Sequence, residues 1–301
     1  MTYETSEIDA ILPSRSVPRA IDWISAELSA GGVPTALGDA QIIVAHLLGL
    51  TRDEVRAGAA DAVELHGVQL AAVMDFTARR KLREPLQHLT GRSFFRTLTL
   101  AVGPGVFVPR RETEFVAELA IRAIREREMI APRVVDLCMG AGAIALSIAV
   151  EVPDSEVWGV ELYREAFDWA AKNFEAIAPH HAHPVHGDIA DALPELDGTI
   201  DVVAGNPPWL PPDIPPATPE VALWDPPQIS WEGGGPDGMR VPRAFSKSGL
   251  RLLRPDGVLV MEHGVSQGPR MAQMLRDDGW LDVHTHTDPR GKQRVTTARR
   301  P

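Results

Sequence analysis

Between Arg133 and Ala298 the chain alternates short apolar runs with longer amphipathic ones, and this rhythm limits the fold more than any other feature. Val134-Val135-Asp136-Leu137, Glu156–Val160, Val185-His186-Gly187-Asp188, Ile200–Gly205, Val258–Glu262, Leu281–Thr287 and Gln293–Ala298 read as strands, because they are short and favour residues that fit a pleat. Ile144–Glu151, Arg164–Glu175, Val241–Leu253 and Gly268–Asp278 read as the helices between them. Strands that alternate with helices in this way form a largely parallel α/β sheet covered on both faces. Ligands of such sheets bind beyond the carboxyl ends of the strands.

One strand end stands out. Ile200–Gly205 runs directly into Asn206-Pro207-Pro208-Trp209. Two consecutive prolines neither continue a ladder nor start a helix freely, so the chain is stopped there. Asn206 offers an amide oxygen and an NH2 group, and Trp209 a flat π face. With fixed backbone carbonyls beside them, these groups suit a planar nitrogen substrate. A rigid turn around a buried Trp is the plainer reading, and its place at a central strand end disfavours it. The segment 207–227 is too rich in proline for regular structure.

A second signal precedes it. Gly140-x-Gly142-x-x-Ala145 follows a strand and opens a helix, and Glu161 ends the next strand 21 positions after Gly140. This spacing fits a dinucleotide-binding loop and equally the glycine loop of S-adenosylmethionine-dependent methyltransferases. In both, glycines admit the ligand to the backbone and a carboxylate grips ribose hydroxyls. Three details favour S-adenosylmethionine. Asp136 ends its strand where it would repel a pyrophosphate but suits an ammonium. Asp188, after Gly187, can accept from an adenine amino group. The Asn-Pro-Pro-Trp run has no use in hydride transfer.

The remainder is organised around this half. Residues 1–17 carry no periodicity and read as a loose start. Pro18 to Glu84 is helical, with stripes Ile21, Trp23, Ile24, Leu28 and Ala40, Ile43, Val44, His46, Leu47, Leu48, a break at Gly31-Gly32-Val33-Pro34, and a further helix over Val68–Lys81. Asp39 is placed to cap the second of these helices, and His46 reads as a core histidine. Phe94–Val102 reads as a strand, Gly103-Pro104-Gly105 as a turn and Val106-Phe107-Val108 as a returning strand, so a hairpin links the two parts. The domains are therefore 1–92 helical, 93–108 hairpin linker and 109–301 catalytic. Pro109–Glu114 opens a helix, and Arg110 and Glu112 either serve its first turn or line a cleft beside the cofactor. His180-His181-Ala182-His183 with His186 reads as a solvated loop before a strand, so no metal site is expected. Cys138, the one cysteine, reads as a packing residue and excludes an internal disulfide. A net charge of −11 weighs against a nucleic-acid partner, adenine methylation included. With no signal peptide or membrane-length apolar run in view, a cytoplasmic location is expected.

Taken together, Asp39–Gly49, Arg83–Glu114, Asp136–Ala145, Gly187-Asp188, Gly205–Trp209, Gly234-Gly235-Pro236-Asp237-Gly238 and Asp288–Arg294 resemble the bacterial HemK/PrmC family, the N5-glutamine methyltransferases of peptide-chain release factors. The resemblance covers nearly the whole chain. It implies a seven-stranded, mostly parallel Rossmann-like methyltransferase sheet with a reversed last strand, and an N-terminal helical domain for substrate recognition. It makes Asn206, Pro207 and Trp209 the catalytic set and Asp136, Gly140, Gly142, Glu161, Asp188 and Asn206 the cofactor set. Asn206, Pro207, Pro208, Trp209, Arg110 and Glu112 would meet the substrate. The chain departs from the family at Cys138 (usually glycine), Trp209 (usually tyrosine), Arg111 (commonly proline) and Asp225-Pro226-Pro227 (usually Glu-Pro). Those near 207–240 keep open a small amine, guanidine or amide metabolite as acceptor. A cofactor-binding module without turnover is the remaining alternative.

Overall fold

The computed structural model describes residues 15–224 and 230–301. Most of the expected loose start, and Asp225-Pro226-Pro227, lie outside the described residues. The chain divides into two compact units, Met1–Gly91 and Arg92–Pro301.

The first unit is helical: α1 (Val17–Ala30), α2 (Ala36–Leu48), α3 (Arg52–Arg56), α4 (Val68–Lys81) and α5 (Leu86–Thr90). The apolar stripes meet in one core, with Ala20, Ile24 and Leu28 of α1 against Ala40, Ile43 and Val44 of α2 and Leu70 and Val73 of α4. His46 stacks on Phe76, with ring centroids 5.8 Å apart. Asp39 is not a cap, because Thr35 holds the N-cap position of α2. Instead Asp39 is buried and accepts a 2.7 Å bond from Arg80 Nε, while Arg80 also donates to the Glu84 carbonyl. An acidic residue early in a helix suggests a cap, whereas the fold uses Asp39 to neutralise a buried cation.

The second unit is a seven-stranded sheet in the order β5-β4-β3-β6-β7-β9-β8. Its strands are β3 (Arg133–Leu137), β4 (Glu156–Glu161), β5 (Ala182–His186), β6 (Ile200–Gly205), β7 (Leu253–Glu262), β8 (Leu281–Thr287) and β9 (Gln293–Arg299). All neighbours pair in parallel except β9, which runs antiparallel to both β7 and β8. The sheet is thus mostly parallel with a reversed last strand, as the resemblance implied. Alternate residues feed two cores. Val134, Val202, Ala204 and Val260 face α6 (Glu114–Glu126), α7 (Ala143–Glu151) and α8 (Arg164–Ile177), while Val135, Val203, Leu259 and Met261 face α10 (Arg240–Leu252) and α11 (Gly268–Asp277). This period of two, on strands that are apolar throughout, is what burial on both faces demands. Strand order reverses between β3 and β6, so Asp136 and Asn206 come to the switch point where such sheets bind ligands.

Two expectations change. The hairpin is β1 (Arg92–Phe95) with β2 (Leu98–Ala101), turning at Arg96-Thr97 and not at Gly103-Pro104-Gly105. Arg96 takes φ +50°, a sign that two-residue hairpin loops require, and its guanidinium is held by Glu151 at 2.6 and 2.8 Å and by Glu118 at 3.0 Å. A non-glycine residue supplies the turn because three acidic groups anchor it: Glu114 Oε1 also accepts from its backbone N–H. Val106–Val108 does not form a strand, and Val106 enters the sheet's core. Within the proline-rich segment, Pro219–Trp224 forms a short helix, α9. Proline fits there because the first helical residue has no internal partner for its N–H.

The buried Asp39–Arg80 pair gives a direct expectation. Deleting one member strands a buried charge, so Asp39→Ala should lower the unfolding free energy in urea by about 3 kcal/mol. Arg56→Ala, whose partner Asp53 is fully exposed, should leave it unchanged.

Candidate active site

At the end of β3 the chain turns under strain. Cys138 adopts φ +66°, and Gly140 and Gly142 follow at +57° and +86°. A Cβ on Gly142 would lie 2.6 Å from the Phe174 ring, whereas one on Gly140 would meet nothing within 4 Å. Gly142 is thus fixed by packing, and Gly140 borders open space. Asp136 is fully buried; its Oδ2 accepts from Ala145 N at 3.0 Å and its Oδ1 has no partner. Glu161, also buried, accepts from Gly140 N and Tyr163 N, both at 2.9 Å. Burial pushes both carboxyls above their ordinary range; Glu161's charge adds to the effect on Asp136, and backbone N–H donors partly offset it at Glu161. Among the described residues no Lys or Arg forms an ion pair with either one. Asp188 is exposed, with Oδ1 accepting from Ala190 N at 2.9 Å.

This donor set fits S-adenosylmethionine. Two buried carboxylates with spare acceptor capacity suit an ammonium and ribose hydroxyls, and the bare Gly140 leaves room beside them. They would repel a pyrophosphate. The Cys138 thiol is also raised, first by burial and then by Glu161, Asp136 and Asp188, so it is a poor nucleophile at neutral pH. The residue replaces the family's glycine in a left-handed position that glycine adopts without strain.

On the other side of the switch point stands Asn206. Gly205 before it is obligatory: a Cβ there would lie 2.1 Å from the Leu137 carbonyl and 2.7 Å from Phe245. Asn206 Nδ2 donates to Thr113 Oγ1 at 3.4 Å, while Oδ1 is buried and accepts nothing. Pro207 is buried, and Pro208 and Trp209 are half-buried. The Trp209 carbonyl accepts from Gln267 Nε2 at 2.8 Å, and Gln267 Oε1 accepts from Gly264 N at 2.9 Å. Gly264, Gly233 and Gly238 all lie too close to Trp209 for a side chain. Leu210 N donates to the Trp231 carbonyl and Gly233 N to the Leu210 carbonyl, at 2.8 and 2.9 Å. Stiffness in this loop therefore comes from cross-bracing as well as from its prolines.

Three residues in this region escaped the sequence reading. Thr113 lies inside the Pro109–Glu114 element with no role of its own, Glu262 reads only as the end of a strand, and Gln267 falls between the predicted strand and helix. Glu262 closes β7, next to β6, and is 2% exposed with its Oε2 unpartnered. Burial lifts its pKa to about 7; Glu112 adds to the rise, while hydrogen bonding from Thr113 and the charge of Arg294 oppose it. The neighbouring His263 is fully buried. Its Nδ1 donates to the Gly264 carbonyl and its Nε2 meets Thr296 Oγ1, both at 2.9 Å, and burial holds its pKa below the ordinary imidazole value against the Gly264 hydrogen bond.

Arg110 and Glu112 separate. The Arg110 guanidinium stacks over Phe107, 4.8 Å from the ring centre. Glu112 lines a surface cleft with Arg96, Arg111, Glu118, Asp288 and Arg290. Neither side chain caps the helical turn that they open. The histidine tract is not a loop throughout, because His183 and His186 lie in β5; His183 contacts Glu156, and His186 Nε2 donates to the Leu162 carbonyl at 3.1 Å. Among the described residues no group of three or more His, Cys, Asp or Glu is placed to hold a metal ion. Nor, among them, is any helix long and apolar enough to cross a membrane.

Comparison with known proteins places both units. A family model described as the PrmC N-terminal domain matches residues 19–91, and one described as the methyltransferase small domain matches residues 97–212. A release factor glutamine methyltransferase of Bifidobacterium longum is 41% identical over 287 residues, 92% of this chain and 97% of that protein. A 4-amino-L-phenylalanine/4-methylamino-L-phenylalanine methyltransferase of Streptomyces pristinaespiralis is 35% identical, covering 88% of each. Among solved structures, the T. thermophilus 16S rRNA N2 G1207 methyltransferase in complex with AdoMet and guanosine is 22% identical, with a TM-score of 0.50 over 70% of this chain and 50% of that one, a likeness of fold.

The brace on Trp209 can be probed alone. Gln267→Ala strands a buried carbonyl and a buried N–H, so it should cost about 2 kcal/mol of stability in urea unfolding. Gln267→Glu keeps the acceptor for Gly264 but loses the donor to Trp209, and should fall between it and the native protein.

Proposed function

The chain belongs to the release factor glutamine methyltransferase family, and from that premise we propose that it methylates the side-chain amide nitrogen of a glutamine in a peptide-chain release factor. The observation that carries this reading is the Asn206 Oδ1 atom, buried and without a partner among the described residues at the carboxyl end of β6. Buried acceptors are rarely left unpaired, and an NH2 group is what such an atom lacks.

An amide nitrogen is a weak nucleophile because its lone pair is delocalised into its carbonyl. Asn206 Oδ1 and the Pro207 backbone carbonyl accept its two N–H bonds. Those contacts aim the nitrogen and favour the positive charge that builds on it as it reacts. Trp209 borders the site with an aromatic face suited to an amide plane and to a cationic centre. Asp136, Glu161 and the Gly140–Gly142 loop hold the cofactor, and Asp188 borders its adenine. S-adenosylmethionine, when bound, supplies an electrophilic methyl group on sulfur. Asn206 is neutral and is not a base, so the proton of the methylated nitrogen passes to water. Pro208 keeps the loop rigid, and Glu112 borders the route of the protein substrate. Small metabolites are set aside as acceptors, because the 41% identical relative is named for the release factor and the aminophenylalanine relative is the less similar of the two.

The test is transfer from labelled S-adenosylmethionine to a release factor bearing Gly-Gly-Gln, with free amino acids, 4-aminophenylalanine and DNA in parallel. Label on the release factor alone is expected; label confined to the amino acids would overturn the assignment. Asn206→Ala should lower turnover by at least about 100-fold while cofactor affinity changes by less than about twofold. Collapse of cofactor binding in that variant would contradict the role given to Asn206.

A further inference from the structure

An asparagine can serve as acceptor only if its amide points the right way. Turned over, Asn206 would present NH2 to the substrate's NH2, and the two donors would repel. Something must therefore define its orientation. The neighbour of Asn206 Nδ2 is a hydroxyl, Thr113 Oγ1, at 3.4 Å, and a hydroxyl can donate or accept. Alone it would tolerate either orientation.

We propose that Glu262, acting through the Thr113 hydroxyl, is the positioning residue that holds the Asn206 amide with Oδ1 turned to the methyl acceptor. An ionised carboxylate only accepts hydrogen bonds. It takes the one proton of Thr113, whose oxygen is then left as an acceptor, and the only group of Asn206 that can meet it is the NH2. The three residues stand on adjoining pieces of the fold: Glu262 ends β7, Asn206 follows β6, and Thr113 precedes α6. Both Thr113 and Glu262 are buried, so water does not substitute for either. The inference rests on the acceptor role given to Asn206 above.

The surroundings make this arrangement dependent on pH. Glu262 is faced by Glu112 and Thr113 from the segment before α6 and by Arg294 from β9. Arg294 lies 3.4 Å from Asp288, and His263, which follows β7, has its pKa lowered by burial. Burial and the charge of Glu112 outweigh Arg294 and the Thr113 hydrogen bond, which leaves the carboxyl titrating at about pH 7. Once protonated it can donate to Thr113, whose own proton is then free for Asn206, and the orientation is no longer enforced. Activity should thus fall as pH drops through about 7. Stability runs the other way. A carboxyl raised above its ordinary value contributes most when protonated, and that contribution is lost as pH rises through about 7.

The experiment combines kinetics with a spectroscopic reading that needs no substrate. In the 15N-labelled protein, the Asn206 side-chain NH2 resonances, assigned by their absence in Asn206→Ser, should shift with pH around 7. The titration should vanish in Glu262→Gln and in Thr113→Val. With the release factor as substrate, both variants should lose roughly 100-fold in kcat, retain cofactor affinity within about twofold, and lose the acid limb of the native profile. Thr113→Ser should restore both rate and limb. Glu262→Gln should melt no lower than the native protein at pH 8, which separates this loss from misfolding. An Asn206 resonance indifferent to pH, or Glu262→Gln at the native rate, would overturn the proposal. A titrating resonance in a protein that does not methylate the release factor would leave the positioning role intact and refute the substrate assignment instead.

Discussion

A buried polar atom must find a partner, and among the described residues three acceptors at neighbouring strand ends do not. Asp136 Oδ1, Asn206 Oδ1 and Glu262 Oε2 are all buried and unpartnered, and they lie at or beside the carboxyl ends of the adjacent strands β3, β6 and β7. Each is an acceptor, and none is neutralised by a Lys or Arg at bonding distance among the described residues. At the ends of central strands that are otherwise mostly apolar, such a row is costly unless ligands complete it. Asp136 fits a cationic cofactor. Asn206 fits an amide NH2. Glu262 ends the strand beside Asn206, where the positioning role proposed above would use its charge.

The scaffold explains how these atoms are kept in place without collapsing on one another. Gly205 allows β6 to pass against the Leu137 carbonyl, and Gly142 lets the cofactor loop close over Phe174. Beyond β6, Gln267 and the closely packed glycines at 233, 238 and 264 fix the backbone around Trp209. Trp209 is held partly through its backbone, by Gln267, Gly233 and Gly238 at its carbonyl and Cα, and partly through its ring, which packs on Gly264.

Much of this was legible in the sequence, and the exceptions have physical causes. The central strands could be read because burial on both faces leaves mostly apolar runs, and Val68–Lys81 and Ile200–Gly205 match the structure residue for residue. Asp136, Gly140, Glu161 and Asn206 could be placed near one another because strand ends converge in a parallel sheet. The hairpin turn could not, because Arg96 is anchored by Glu114, Glu118 and Glu151, which a search for glycine and proline does not see. Asp39 was misread because its partner Arg80 lies two helices away. The Thr113–Glu262 connection was invisible for the same reason. It joins two ordinary residues, distant in sequence, whose significance appears only when burial and the orientation of a third are known.

The central claim is that this site recognises an NH2 group through acceptors that have no other partner. The most direct measurement compares methyl transfer to a release factor bearing Gly-Gly-Gln with transfer to the same protein carrying glutamate in place of that glutamine. A carboxylate brings no N–H bonds and adds a negative charge, so the rate should fall by about four orders of magnitude or more. Methylation of the glutamate form at a comparable rate would contradict the account.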